Sequence, residues 1–117
     1  MFVVDVDQRD GWWIVAASGE VDVATAPALR ATLIDVVPAG GRRVVLDLTR
    51  VDFIDSFGLG VLVGALKRLR THGGDLRVAA SEGSVRRALE LTGLDRIFDL
   101  AASVDEAIAE RPVPVDE

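Results

Sequence analysis

The sequence contains no cysteine and only one histidine, His72, among its 117 residues. Without cysteine there can be no disulfide and no thiolate metal site. Basic charge is also scarce: 13 Lys and Arg face 19 Asp and Glu, for a net charge of −6. Domains that bind nucleic acid ordinarily present a basic field to the phosphates, so no nucleic-acid partner is expected. Long apolar runs are missing too. Even "VLVGAL" gives way to Lys67 and Arg68, far short of the ~20 apolar residues that span a bilayer. The opening "MFVVDVDQRD" is acidic and has no apolar h-region, unlike a signal peptide. The expectation is a cytoplasmic protein with no membrane partner.

What is present suits one folded domain. Half the residues are hydrophobic, and a chain of this size buries roughly two-thirds of its unfolded surface. We expect one domain over 1–111 and a frayed tail over 112–117. Val3, Val4 and Val6 alternate loosely with Asp5 and Asp7 and predict a strand. "RDG" reads as a turn and "WWIVAAS" (12–18) as a second strand, which Gly19 breaks. Leu29, Leu33, Val36 and Val37 predict a helix from about Thr25 to Val37, with Pro27 tolerated in its first turn. "VVLDL" (44–48) reads as a strand buried on both faces. A second helix is expected over about 57–71, with Leu59, Leu62, Val63, Leu66 and Leu69 inward, ended by "HGGD". "LRVAA" (76–80) is the next strand. A third helix follows from about Ser84, capped by a hydroxyl and stopped at Gly93. A short extended segment over 97–100 precedes a last helix, capped by Ser103 and terminated by Pro112. Alternation of this kind after an initial hairpin implies an α/β architecture: a mixed, mostly parallel sheet of four to five strands flanked by about four helices.

"FIDSFGLGVLVG" (53–64) raises the functional question. Ser56 is a poor hydrolytic nucleophile. It lacks the Gly-x-Ser-x-Gly elbow, and His72 stands at the far end of the same helix, on the order of 20 Å away at about 1.5 Å per residue. The glycines bind no phosphate by a known pattern either. Gly64 is followed by Ala65 and Leu66 where a Walker loop needs lysine and a hydroxyl, and Val63 occupies the third glycine position of a dinucleotide fingerprint. No cofactor and no enzymatic activity are therefore expected. Asp22 and Asp55 are conceivable magnesium ligands, but no third ligand is evident.

Ser56 as a helix N-cap accounts for the local sequence, with Gly60 and Gly64 letting that helix press on the sheet. A capping role is compatible with function. A strand-to-helix loop at a sheet edge is where α/β proteins place their sites, and the free amides of a helix end favour an added negative charge. Phosphorylation there adds roughly −1.5 to −2 charge without opposing the fold. Of the neighbouring tryptophans Trp12 and Trp13, one is expected in the core and the other at an edge or contact. His72 and the run Lys67, Arg68, Arg70 read as solvated helix positions.

"SGEVDVATAPALR" (18–30), "VDFIDSFGLGVLVGALKRLRTHGGDLRV" (51–78) and "LELTGLDRIF" (89–98) together resemble the STAS-domain anti-sigma factor antagonists over nearly the whole chain. The resemblance implies a single STAS domain that, unphosphorylated, binds an anti-sigma factor serine kinase and frees a sigma factor. A serine phosphatase resets the system. The phospho-acceptor would be Ser56, in the family's Asp-Ser-[Ser/Thr]-Gly-Leu-Gly motif. The partner surface would comprise Asp22, Thr25, Asp55, Ser56, Phe57, Gly58 and Leu59. Phe57 departs from the family's serine or threonine; it is either an apolar anchor for the partner or, the reading preferred here, ordinary core. A structural STAS subunit of a transporter or larger assembly, without phosphoryl control, is the alternative. Nothing in the sequence fixes the oligomeric state.

Overall fold

In a computed structural model, which describes residues 1–109, the chain alternates strand and helix in the expected order. The strands are β1 (Val3–Arg9), β2 (Trp12–Val21), β3 (Arg43–Ile54), β4 (Asp75–Ala79) and β5 (Asp99–Ala101). The helices are α1 (Ala26–Val36), α2 (Ser56–Thr71), α3 (Ser84–Leu91) and α4 (Val104–Ile108), with a 3-10 turn at Leu94–Arg96. The expected Pro112 stop and the 112–117 tail lie outside the described residues.

The five strands form one sheet in the order β1-β2-β3-β4-β5. The β1–β2 pair is an antiparallel hairpin, and the other three pairs are parallel. Asp10 and Gly11 connect the hairpin with φ of 54° and 83°. Two positive φ values match the right-handed strand twist, which is why an Asp-Gly pair makes a tight hairpin.

Alternation along the central strands sorts the core into two layers. Val15, Ala17, Val44, Leu46, Leu48, Leu76 and Val78 face a cluster shared with Leu29, Leu33, Leu62, Leu66, Leu69, Val85 and Leu89 of α1, α2 and α3. Trp12, Ile14, Val45 and Ala79 face the opposite side, where α4 brings Ala107 and its neighbours. The "VVLDL" strand is thus buried on both faces, as its unbroken apolar run predicts. Trp12 is the core tryptophan, with the Arg43 and Arg77 guanidinium carbons 4.4 and 4.5 Å from its ring centroid. Trp13 is half-buried against the first cluster.

Three local expectations need correction. Gly19 does not end β2. It carries φ of 101° at an irregularity in the β2–β3 register, and the strand runs on to Val21. Strand β3 extends well past Leu48 to Ile54, pairing with β2 alone beyond Asp47. The α3 cap position belongs to Gly83 and makes no side-chain bond; the Ser84 hydroxyl donates instead to the Asp52 carbonyl. The Ser103 cap is as expected, its Oγ accepting from the Glu106 amide at 3.1 Å.

The glycines of α2 divide by face. A Cβ on Gly58 would lie 2.6 Å from Ile54 Cγ1 and 2.7 Å from Val21 Cγ1, whereas Gly60 and Gly64 meet nothing within 4 Å. Gly58, not Gly60 or Gly64, lets the helix press on the sheet. Gly58→Ala is therefore expected to destabilise by about 1–3 kcal/mol through overpacking. Gly60→Ala should stabilise by up to about 1 kcal/mol through helix propensity. Thermal unfolding of the two variants should move in opposite directions.

Candidate functional site

Parallel pairing places the carboxyl-terminal ends of β2 and β3 side by side. Glu20 is registered with Phe53 and Val21 with Ile54. The Asp55 amide then donates to the Val21 carbonyl at 3.0 Å, stitching one connecting loop to the other. Residues 22–25 and 55–59, some thirty positions apart in sequence, thus share one edge of the sheet.

Asp22 and Thr25 build the first loop from within. Asp22 Oδ1 accepts from the Ala24 amide at 2.9 Å and from the Thr25 amide at 3.1 Å. The Asp22 amide donates to Thr25 Oγ1 at 2.9 Å, and that hydroxyl donates to the Glu20 carbonyl at 2.7 Å. Both side chains are half-buried. Their first effect is to shape the loop, which leaves Val23 at its tip 61% exposed.

Asp55 opens the second loop, and it corrects the expected cap. Its backbone is extended, with φ −102° and ψ −173°, and its Oδ1 accepts from the Gly58 amide at 3.0 Å. The N-cap is Asp55, and Ser56 is the first helical residue. Ser56 is exposed, and its hydroxyl bonds to no described residue. Beside it lie the amides at the open end of α2, which precede the first intrahelical bond, from Leu59 to the Asp55 carbonyl at 2.9 Å.

Phe57 does not fold into the core; it is 59% exposed. Position 57 follows Ser56 on the outer side of the first turn, while Gly58 and Leu59 are buried beneath it. Sequence reasoning therefore placed Gly58 and Leu59 on a surface they support from below. It missed Val23, an apolar residue in the polar-flanked stretch "VDVATAP". It also missed the Ser84–Asp52 contact, by which the loop entering α3 braces the end of β3. Among the described residues no three His, Asp or Glu side chains are grouped to hold a metal ion. The Asp22 and Asp55 carboxylates each accept from backbone amides.

The site is thus a free hydroxyl on a helix end, flanked by exposed Val23 and Phe57 and held on two hydrogen-bonded turns. Among the described residues, no histidine lies near this hydroxyl; the carboxylates of the two loops accept from backbone amides. His72 is exposed at the other end of α2, its Nδ1 2.8 Å from the Arg68 carbonyl, which can only accept.

Comparison with known proteins gives a consistent result. The STAS domain family pattern matches residues 3–107. The Bordetella bronchiseptica protein named "Putative anti-sigma factor antagonist BtrV" is 40% identical over 104 residues, covering 89% of this chain and 90% of the relative. The anti-sigma-B factor antagonist of Bacillus subtilis is 34% identical over 105 residues, covering 90% and 95%. The crystal structure of an anti-sigma factor antagonist from Mycobacterium paratuberculosis superposes with a TM-score of 0.86 at 35% identity, covering 92% of each chain.

With Asp55 as the cap, Asp55→Ala should cost about 0.5–2 kcal/mol, whereas Ser56→Ala should change stability by less than about 0.5 kcal/mol. Urea denaturation of both variants distinguishes a cap at 55 from one at 56.

Proposed function

Because the chain belongs to the STAS-domain family of anti-sigma factor antagonists, we propose that it is a partner-switching regulator controlled at Ser56. Unphosphorylated, it docks on an anti-sigma factor serine kinase through the edge formed by residues 22–25 and 55–59, and so releases a sigma factor. Phosphorylation of Ser56 ends the docking, and a serine phosphatase restores it. The observation that carries this reading is the placement of the Ser56 hydroxyl: exposed, bonded to no described residue, and at the first position of α2.

That placement separates the switch from the fold. In the transfer, Ser56 Oγ loses its proton and bonds to the γ-phosphorus of ATP held by the kinase, and the bond to ADP breaks. The new dianion lies at the positive end of α2, an interaction worth about 0.3–1 kcal/mol for a surface charge. This offsets repulsion from the neighbouring Asp55 carboxylate. The hydroxyl is exposed and bonds to no described residue, so the added group extends into solvent without breaking a hydrogen bond of the fold.

Docking suffers instead. The phosphate holds water tightly, and covering it without a matched cation costs about 2–5 kcal/mol, about 30- to several-thousand-fold in affinity. Exposed Phe57 and Val23 supply the apolar contacts around it, as aromatic anchors do at interface centres. Asp22 and Thr25 act by setting the loop that carries Val23.

Isothermal titration against the cognate anti-sigma kinase tests the switch. Ser56→Ala should bind with or without ATP, and Ser56→Glu should bind at least tenfold more weakly at an unchanged melting temperature; equal affinities refute the proposal. Absence of a phosphorylated species by intact mass, after incubation with kinase and ATP, would favour a structural STAS subunit. Phe57→Ser should weaken binding at least tenfold with a melting temperature within about 2 °C of the parent, a shift of well under 1 kcal/mol.

A further inference from the structure

A trough runs between α1 and α2 on the outer side of the helical layer, with a volume of about 400 Å³. Phe57 closes one end beside the switch serine. Leu33, Ile34 and Val61 form apolar walls, and Arg30 and Arg68 line the rim. No acidic side chain lines it, although the chain carries a net charge of −6. Where the apolar surface continues past Phe57 along α1, Asp35 is the one carboxylate reached.

Two features lack a structural explanation without an occupant. Arg68 Nε is shielded from solvent yet has no hydrogen-bond partner. Neither Arg30 nor Arg68 has an ion-pair partner among the described residues. Arg30 is exposed and Arg68 half-buried, and a carboxylate supplied from outside would give the unpartnered Arg68 Nε a charge-assisted hydrogen bond. The second feature is the floor. Gly60 and Gly64 lie within a continuous helix, take no positive φ, and pack against nothing. Glycine weakens a helix interior, so neither backbone geometry nor close packing explains the pair. Their missing side chains keep the trough open.

We propose that this trough binds a small amphiphilic carboxylate, its alkyl body along Leu33, Ile34, Val61 and Phe57 and its head group paired with Arg68 and Arg30. Charge complementarity selects an anion over a neutral lipid. The volume falls in the ~300–1,000 Å³ range of small-molecule sites, which favours a free ligand over a broad protein contact. Since Phe57 belongs both to the trough and to the edge beside Ser56, occupancy would also change the apolar surface offered to a partner. The ligand site itself does not depend on phosphoryl control.

Isothermal titration of the unmodified protein with octanoate and with octan-1-ol separates charge from apolar burial. Octanoate should bind at least tenfold more tightly than octan-1-ol. Arg68→Gln should reduce octanoate affinity at least tenfold while leaving octan-1-ol unaffected. Gly64→Leu, which fills the trough from a position with open space above it, should abolish octanoate binding at an equal or higher melting temperature. No octanoate binding at millimolar concentration, equal affinity for the alcohol, or binding that survives Gly64→Leu would each overturn the proposal. Because no partner protein is present in the titration, failure here leaves the Ser56 switch untouched.

Discussion

The parallel pairing of β2 with β3 is the constraint on which the site depends. Val21 and Ile54 are buried neighbours at the ends of these strands, and the Asp55 amide bonds across to the Val21 carbonyl. Gly58 then rests on both side chains. A residue larger than glycine would lift the start of α2, and with it Ser56, away from the loop that carries Val23. The core beneath and the surface above are thus coupled through one point of close approach.

This arrangement assigns different tasks to neighbouring residues. Asp55, Asp22 and Thr25 spend their polar atoms on the backbone, giving the two loops defined shapes. The Ser56 hydroxyl bonds to no described residue, and the Phe57 ring is exposed. A modification of Ser56 therefore meets solvent and the helix end, and under the proposed switch it changes recognition while the scaffold stays intact. The same logic extends to the far side of Phe57, where two arginines without an ion-pair partner among the described residues and a glycine floor leave a trough that the core does not need.

Much of this was legible in the sequence because the signals were local. Asp10-Gly11 announced a hairpin; Leu59, Leu62, Leu66 and Leu69 announced an inward helix face; the uninterrupted "VVLDL" announced a strand covered on both sides. The motif around Asp55 and Ser56 pointed to the loop proposed here as the site. What stayed hidden was decided by tertiary contacts. Asp55 and Ser56 are both good caps, and the bond from the Asp55 amide to Val21 helps hold Asp55 extended, outside the helix, with its Oδ1 on the Gly58 amide. The segment 49–54 looks like a loop because Thr49, Arg50 and Asp52 interrupt it, yet pairing with β2 carries the strand through. Glycine gives no indication of the face it occupies, so Gly58 and Gly60 could not be told apart without α1 and the sheet in place. Phe57 reads as core by its chemistry and is exposed by its position in the first turn.

The central claim is that a dianion at Ser56 alters recognition while leaving the fold as it is. The most direct test is the amide NMR spectrum of the homogeneously Ser56-phosphorylated protein beside that of the unmodified form. The account predicts shift changes confined to residues 22–25 and 55–59 and their immediate neighbours, with hydrogen-exchange protection in β3, β4 and the body of α2 preserved. Changes spread through the central strands, or protection lost along α2, would contradict it.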